Sequence, residues 1–160
     1  MVLRHALALA LLLLPALPAA AQGGGALQVT ETGVSGVYTA QVRVSAHPHH
    51  VIMGHVLIVT RDGETVRALV LRHRDDGVHR LSYAEAWAGG TRLPFRREAG
   101  LGCTHGHCRD RALGMVYLSA ALFDRAVVAG LAFRLVERSG TLDIAAPASL
   151  FRDATARAAR

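Results

Sequence analysis

The chain has 160 residues, a formal net charge of +6 and 51% hydrophobic residues, and all 18 of its basic residues are arginine. Without lysine, Schiff-base catalysis, pyridoxal-phosphate attachment and a phosphate-gripping P-loop lysine are excluded. The length suits one domain that buries a core without many covalent staples.

Met1 to His5 carries one fixed positive charge, at Arg4, and no acid. An apolar run from Ala6 to Leu17 follows, broken only by Pro15, and then Ala19-Ala20-Ala21 offers small residues to a signal peptidase. These are the three parts of a secretory signal, so residues 1–21 are expected to be cleaved and the remainder to be periplasmic or secreted. A spanning helix needs about 20 apolar residues; this run is shorter, and no membrane span is expected after cleavage. There is no cysteine near the cut for lipid attachment and no Arg-Arg pair for the twin-arginine route. Export also changes how the charge is read. The arginines are scattered with few aromatics among them, which favours a solvated basic surface over nucleic-acid binding. If that surface has a partner, an anionic envelope component fits it.

Gln22 to Ala26, with three consecutive glycines, reads as a flexible leader, and 27–160 as a single globular domain. Tyr38, Ala40, Val42 and Val44 alternate with polar residues as a half-buried strand, which Ala46-His47-Pro48-His49-His50 breaks. Val51–Thr60 is a nearly continuous apolar run. Asp62-Gly63 then signals a tight hairpin, with Thr65–Leu71 as its return strand. Arg72–Gly77 reads as a turn and Val78–Tyr83 as a strand. Ala84–Ala88 is expected to make one helical turn before Gly89-Gly90. Thr91–Arg97 contains Pro94 and is expected to be an edge strand or a loop.

Glu98–Arg111 is loop-like, and Met115–Leu118 is a short strand. Ser119 is the N-cap of a helix to Ala129 that Gly130 closes, with Leu122, Ala126 and Ala129 on one stripe. Leu131, Phe133 and Leu135 alternate as a strand, Ser139-Gly140 turns, and Leu142 and Ile144 return. Pro147 opens a final helix anchored by Leu150 and Phe151.

The fold class expected from this order is α+β. It comprises an antiparallel sheet of about five to seven strands built from hairpins, a helix near 119–129 and a C-terminal helix near 148–158. A β-sandwich carrying a terminal helix is the alternative.

Two stretches are candidates for chemistry. Cys103-Thr104-His105-Gly106-His107-Cys108 in an oxidising compartment favours a disulfide between Cys103 and Cys108. Closing so short a loop adds about 2 kcal/mol by the chain-entropy argument, enough to fix a loop. Its rivals are a Cys/His metal site, cramped for four ligands, and a redox pair lacking C-x-x-C spacing.

The second stretch is His47, His49 and His50, with Met53 and His55 beyond, in a chain holding nine histidines. Such a tract suits copper or zinc, though solvated or hydrogen-bonded histidines are the plainer reading. In a regular strand His49 and His55 share a parity that His50 does not, so a common centre needs an irregular backbone. His105 or His107 would join only if the two loops meet.

Hydrolase signatures G-x-S-x-G, H-E-x-x-H and S-x-x-K are missing. Ser82, Ser119 and Ser149 are open to a triad that only the fold would assemble, with His73 or His79 as the base. Tyr83 and Trp87 are read as core anchors in preference to a ligand-stacking platform.

The function expected is an exported, soluble, non-catalytic binding or scaffolding domain of the bacterial envelope, with no cofactor. A periplasmic copper or zinc protein using His47, His49, His50 and His55 is the alternative.

Overall fold

The computed structural model describes residues 23–29, 33–74, 83–97, 110–138 and 140–160. Residues 1–21, expected to be a signal, the Cys103–Cys108 segment, His79 and Ser82 lie outside the described residues, as does the strand expected over Val78–Tyr83 apart from Tyr83 itself.

The organising element is a hairpin of two eleven-residue strands, β4 (Val51–Arg61) and β5 (Glu64–Arg74). Asp62 and Gly63 both take positive φ, 52° and 82°, the geometry of the two-residue turn that Asp-Gly favours. Every residue of the two strands is paired, from Arg61 opposite Glu64 to Val51 opposite Arg74. Ile52, Gly54, Val56 and Ile58 point into the core and their neighbours are half-buried on the other face, so the run reads as apolar throughout.

Around this hairpin lie β1 (Gly25–Val29), β2 (Val34–Tyr38), β3 (Val42–Arg43), β8 (Phe95–Arg97) and β9 (Asp110–Tyr117). The larger sheet runs β1-β2-β4-β5-β9-β8, and β3 pairs with β4 beyond the end of β2. The strand at the N-terminus begins at Gly25, opposite Tyr38, two residues before Leu27. A smaller sheet, ordered β11-β10-β6-β7, holds β6 (Glu85–Ala88), β7 (Thr91–Leu93), β10 (Leu131–Glu137) and β11 (Gly140–Ala146). The architecture is therefore α+β with mostly antiparallel sheets, and it has eleven strands in two sheets among the described residues, more than expected from the sequence.

Two backbone crossings join the sheets. Thr91–Arg97 is edge strand in both sheets, as expected: β7 ends the smaller sheet, with Leu93 paired to Ala86, and β8 ends the larger, with Phe95 paired to Val116. Pro94 sits at the crossing, where no ladder N–H is needed, and its carbonyl accepts from Tyr117 N at 2.8 Å. On the other side Ser45 bridges Ile144, and Ala145 N donates to Val44 O at 2.8 Å. The strands thus connect from β4 through β5, β9 and β8 by hydrogen bonds, pass to β7 along the chain at Pro94, and continue by hydrogen bonds through β6, β10 and β11 back to the end of β3 and β4.

The expected helical turn at Ala84–Ala88 is strand β6. Its Gly89-Gly90, with φ of 54° and 80°, is a second tight hairpin turn, and pairing with β10 overrides the helix propensity of the alanines.

Helix α1 (Ala120–Ala129) has the Ser119 side chain accepting from Leu122 N, and Gly130 ends it at φ 78°. Its buried residues are Phe123 and Ala126, so Phe123 takes the place expected for Ala129. The Phe123 ring meets Phe151 edge-on at 5.8 Å and lies under the Arg67 guanidinium at 5.7 Å. Helix α2 (Ala148–Ala158) buries Leu150, Phe151 and Ala154. One continuous core joins these residues to the inner faces of both sheets.

Gly54 leaves no room for a larger side chain, because a Cβ there would lie 2.9 Å from Val44 Cγ1 on the segment crossing to β11. Gly54→Val should therefore cost about 1–3 kcal/mol by overpacking, read as a lower urea midpoint. An unchanged midpoint would mean that Val44 can withdraw without loss.

Candidate functional site

Of the histidines expected to share a metal, only His55 lies on a strand, and His47, His49 and His50 precede that strand. His55, on β4, pairs with Val70 and faces outward from the larger sheet. His73 on β5 pairs with Ile52 and faces inward, 2% exposed. His47, His49 and His50 lie on the turn before β4, and Arg43 holds that turn with Nε donating to Ser45 O at 2.9 Å and Nη2 to His47 O at 2.8 Å.

The structure brings His47 and His50 together as stacked rings, 4.5 Å between centroids and 29° between planes. His49 lies edge-on to His47 at 5.9 Å, and His73 is 6.0 Å from His50. A metal bond runs in the plane of its imidazole, at about 2.0–2.1 Å for zinc. Two nearly parallel stacked rings cannot aim their lone pairs at one such point. Among the described residues no three His, Cys, Asp or Glu are grouped so as to hold a metal ion. His73 was singled out by sequence only as a base for a triad, because its place beside His50 depends on the register of β4 and β5.

Two of the described serines, Ser45 and Ser119, have backbone tasks. Ser45 Oγ donates to His50 O and accepts from Ile52 N, and Ser119 Oγ caps α1.

His55 is a different kind of group. Burial, and then the nearby Arg72 guanidinium, hold its pKa down at about 4 against the ordinary 6.5. Neither His55 Nδ1 nor Arg72 Nε has a hydrogen-bond partner among the described residues.

The outer face of the smaller sheet holds the residue that sequence reasoning placed wrongly. Tyr83 is a core anchor, 4% exposed, with burial and then Glu137 pushing its phenol up to about 12. Trp87 is not: it is 37% exposed. It shares its face of β6 with Glu85, while Ala86 between them takes the core side. Glu85 has to stay near water, and that parity was the signal available in the sequence.

The Trp87 indole is oriented by Nε1 donating to Glu85 Oε2 at 2.8 Å, and Glu85 also meets Arg92 at 3.1 Å. Across the sheet Arg92, Trp87, Arg134 and Asp143 stand directly opposite one another on β7, β6, β10 and β11. Arg134 grips Asp143 through Nε at 2.7 Å and Nη2 at 3.4 Å. Beyond Trp87 the Gly89-Gly90 turn takes β6 away from its neighbours. That leaves a depression of about 480 Å³ bordered by Trp87 and Arg134 and floored by Ala132 and Ala145. Its size lies within the range of small-molecule sites, roughly 300–1,000 Å³.

The His55 shift predicts a pH dependence. Below pH 6.5 the unfolded chain takes up a proton that folded His55 refuses until about 4, so stability falls as the pH drops through that window. The loss from this group approaches tenfold in the folding equilibrium per pH unit. His55→Leu should flatten the difference between urea midpoints at about pH 7.5 and about pH 4.5; the same difference in both proteins would assign the acid sensitivity to other groups.

Comparison with protein-family models, curated proteins and solved structures finds no match, so the functional reading rests on this chain's own residues.

Proposed function

We propose that the chain is an exported, non-catalytic binding domain of the cell envelope, and that it makes contact through the outer face of the smaller sheet around Trp87. The observation that carries this reading is the exposure of the chain's single tryptophan, held in one orientation by Glu85 beside an open depression. A solvent-facing indole gains several kinds of contact by being covered. Fixing its rotamer beforehand lowers the entropy lost when a ligand arrives. The signal-like residues 1–21 support the compartment. No helix among the described residues is long and apolar enough to cross a membrane.

In cells producing the full chain, the wild type should be recovered with the envelope fraction and Trp87→Ala in the soluble extracytoplasmic fraction. Equal retention of both would remove Trp87 from the contact, and recovery of both from the cytoplasm would remove export.

Copper or zinc binding is a second reading, favoured by one observation: the imidazoles of His47, His50 and His73 form a line of ring contacts. It requires the stacked pair to separate around the ion. Protein purified without a histidine tag should then carry stoichiometric metal that His50→Ala removes. Substoichiometric metal that the substitution leaves unchanged would dismiss it.

A further inference from the structure

We propose that the Trp87 depression binds an uncharged saccharide, with one pyranose ring lying on Ala132 and Ala145 against the indole. This rests on the reading of that face as the contact surface and adds the class of ligand.

The shape comes first. Ala132 pairs with Ala145, and both are exposed on the outer face of their strands. With Gly89 and Gly90 at the border, nothing longer than a methyl group rises from this part of the lining. The result is a lining of methyl groups and glycine backbone beside an exposed indole, which suits a thin ring better than a bulky apolar side chain.

Charge narrows the chemistry. The chain as a whole is +6, yet the side chains around Trp87 are two carboxylates and two guanidiniums, Glu85 with Arg92 and Asp143 with Arg134. An ionic ligand would have to break one of these pairs to find a counter-charge. A hydroxyl-rich neutral ligand does not, since each OH both donates and accepts. Arg134 is 56% and Asp143 74% exposed, so each keeps hydrogen-bonding capacity directed away from its partner. A guanidinium edge and a carboxylate edge side by side match a pair of adjacent hydroxyls, one accepting and the other donating. A purely apolar ring would cover those groups without bonding them, at a desolvation cost of about 1–3 kcal/mol each. A sugar ring offers an apolar C–H face to the indole and hydroxyls to the ion pair together.

Because Trp87 is the chain's single tryptophan, its emission reports this site alone. The purified mature chain should show a saturable change in tryptophan emission with a neutral N-acetylglucosamine trisaccharide in the millimolar range. Ala132→Ile, which fills the floor with a good strand former and leaves the indole in place, should weaken that response at least about tenfold. A trisaccharide response that Ala132→Ile leaves unchanged would overturn the site. A stronger response to an anionic trigalacturonate or to tetraproline would overturn the ligand class. No response to any of the three, with envelope retention still dependent on Trp87, would overturn the saccharide and leave the contact face standing. If that retention is absent as well, both readings fall.

Discussion

The backbone of β4 has to be satisfied along both edges, and the rest of the molecule is arranged by how that is done. One edge is simple: β5 pairs with all eleven residues. The other edge is served in turn by β2, Thr39, β3 and Ser45. Two of its donors find side-chain oxygens in place of ladder carbonyls, with Val56 N bonding to Thr39 Oγ1 at 3.0 Å and Ile52 N to Ser45 Oγ at 2.9 Å. Both hydroxyls are buried, and an unmet N–H at either place would cost about 1–3 kcal/mol. With Thr39 and Ser45 standing in, the chain can leave β4 twice without orphaning it. At the second departure it reaches β11 and closes the circuit of strands that the chain at Pro94 completes on the other side.

That closure explains which elements were legible in the sequence. The β4–β5 hairpin, the two helices and the β10–β11 return carry their instructions locally, in Asp62-Gly63, Ser119, Gly130 and alternating apolar residues. Thr91–Arg97 carries no such instruction. Its two halves belong to different sheets, and only the partners Ala86 and Val116, one before it and one well after it in the chain, decide this. The same holds for β6, whose alanines favour a helix until β10 offers a ladder.

The candidate sites divide in the same way. Pro48 among the histidines announces the break in the strand, and the turn is there. Which imidazoles meet is settled by register, which sets His73 opposite Ile52 and turns His55 to the other face. Trp87 was legible in principle from its parity with Glu85. Reading Ala84–Ala88 as a helical turn concealed it, because alternation has no meaning in a helix.

The two outer faces also differ in charge, which links the electrostatics of the fold to its candidate site. On the larger sheet Arg43 and Arg72 stand opposite Met53 from either side, Arg74 opposite Val51, and Arg96 opposite Met115. Of these, Arg72 acts on His55, adding to the burial that holds its pKa down. On the smaller sheet each arginine beside Trp87 has its own carboxylate. Pairing there has a positional effect as well as a neutralising one. Glu85 bonds Trp87 Nε1 and Arg92 together, and Asp143 holds Arg134 along the row, so the groups around the indole are mutually braced. Isolated surface ion pairs contribute little to stability, about 0–1 kcal/mol. The consequence of these two lies in keeping a neutral, ordered surface on a strongly basic chain.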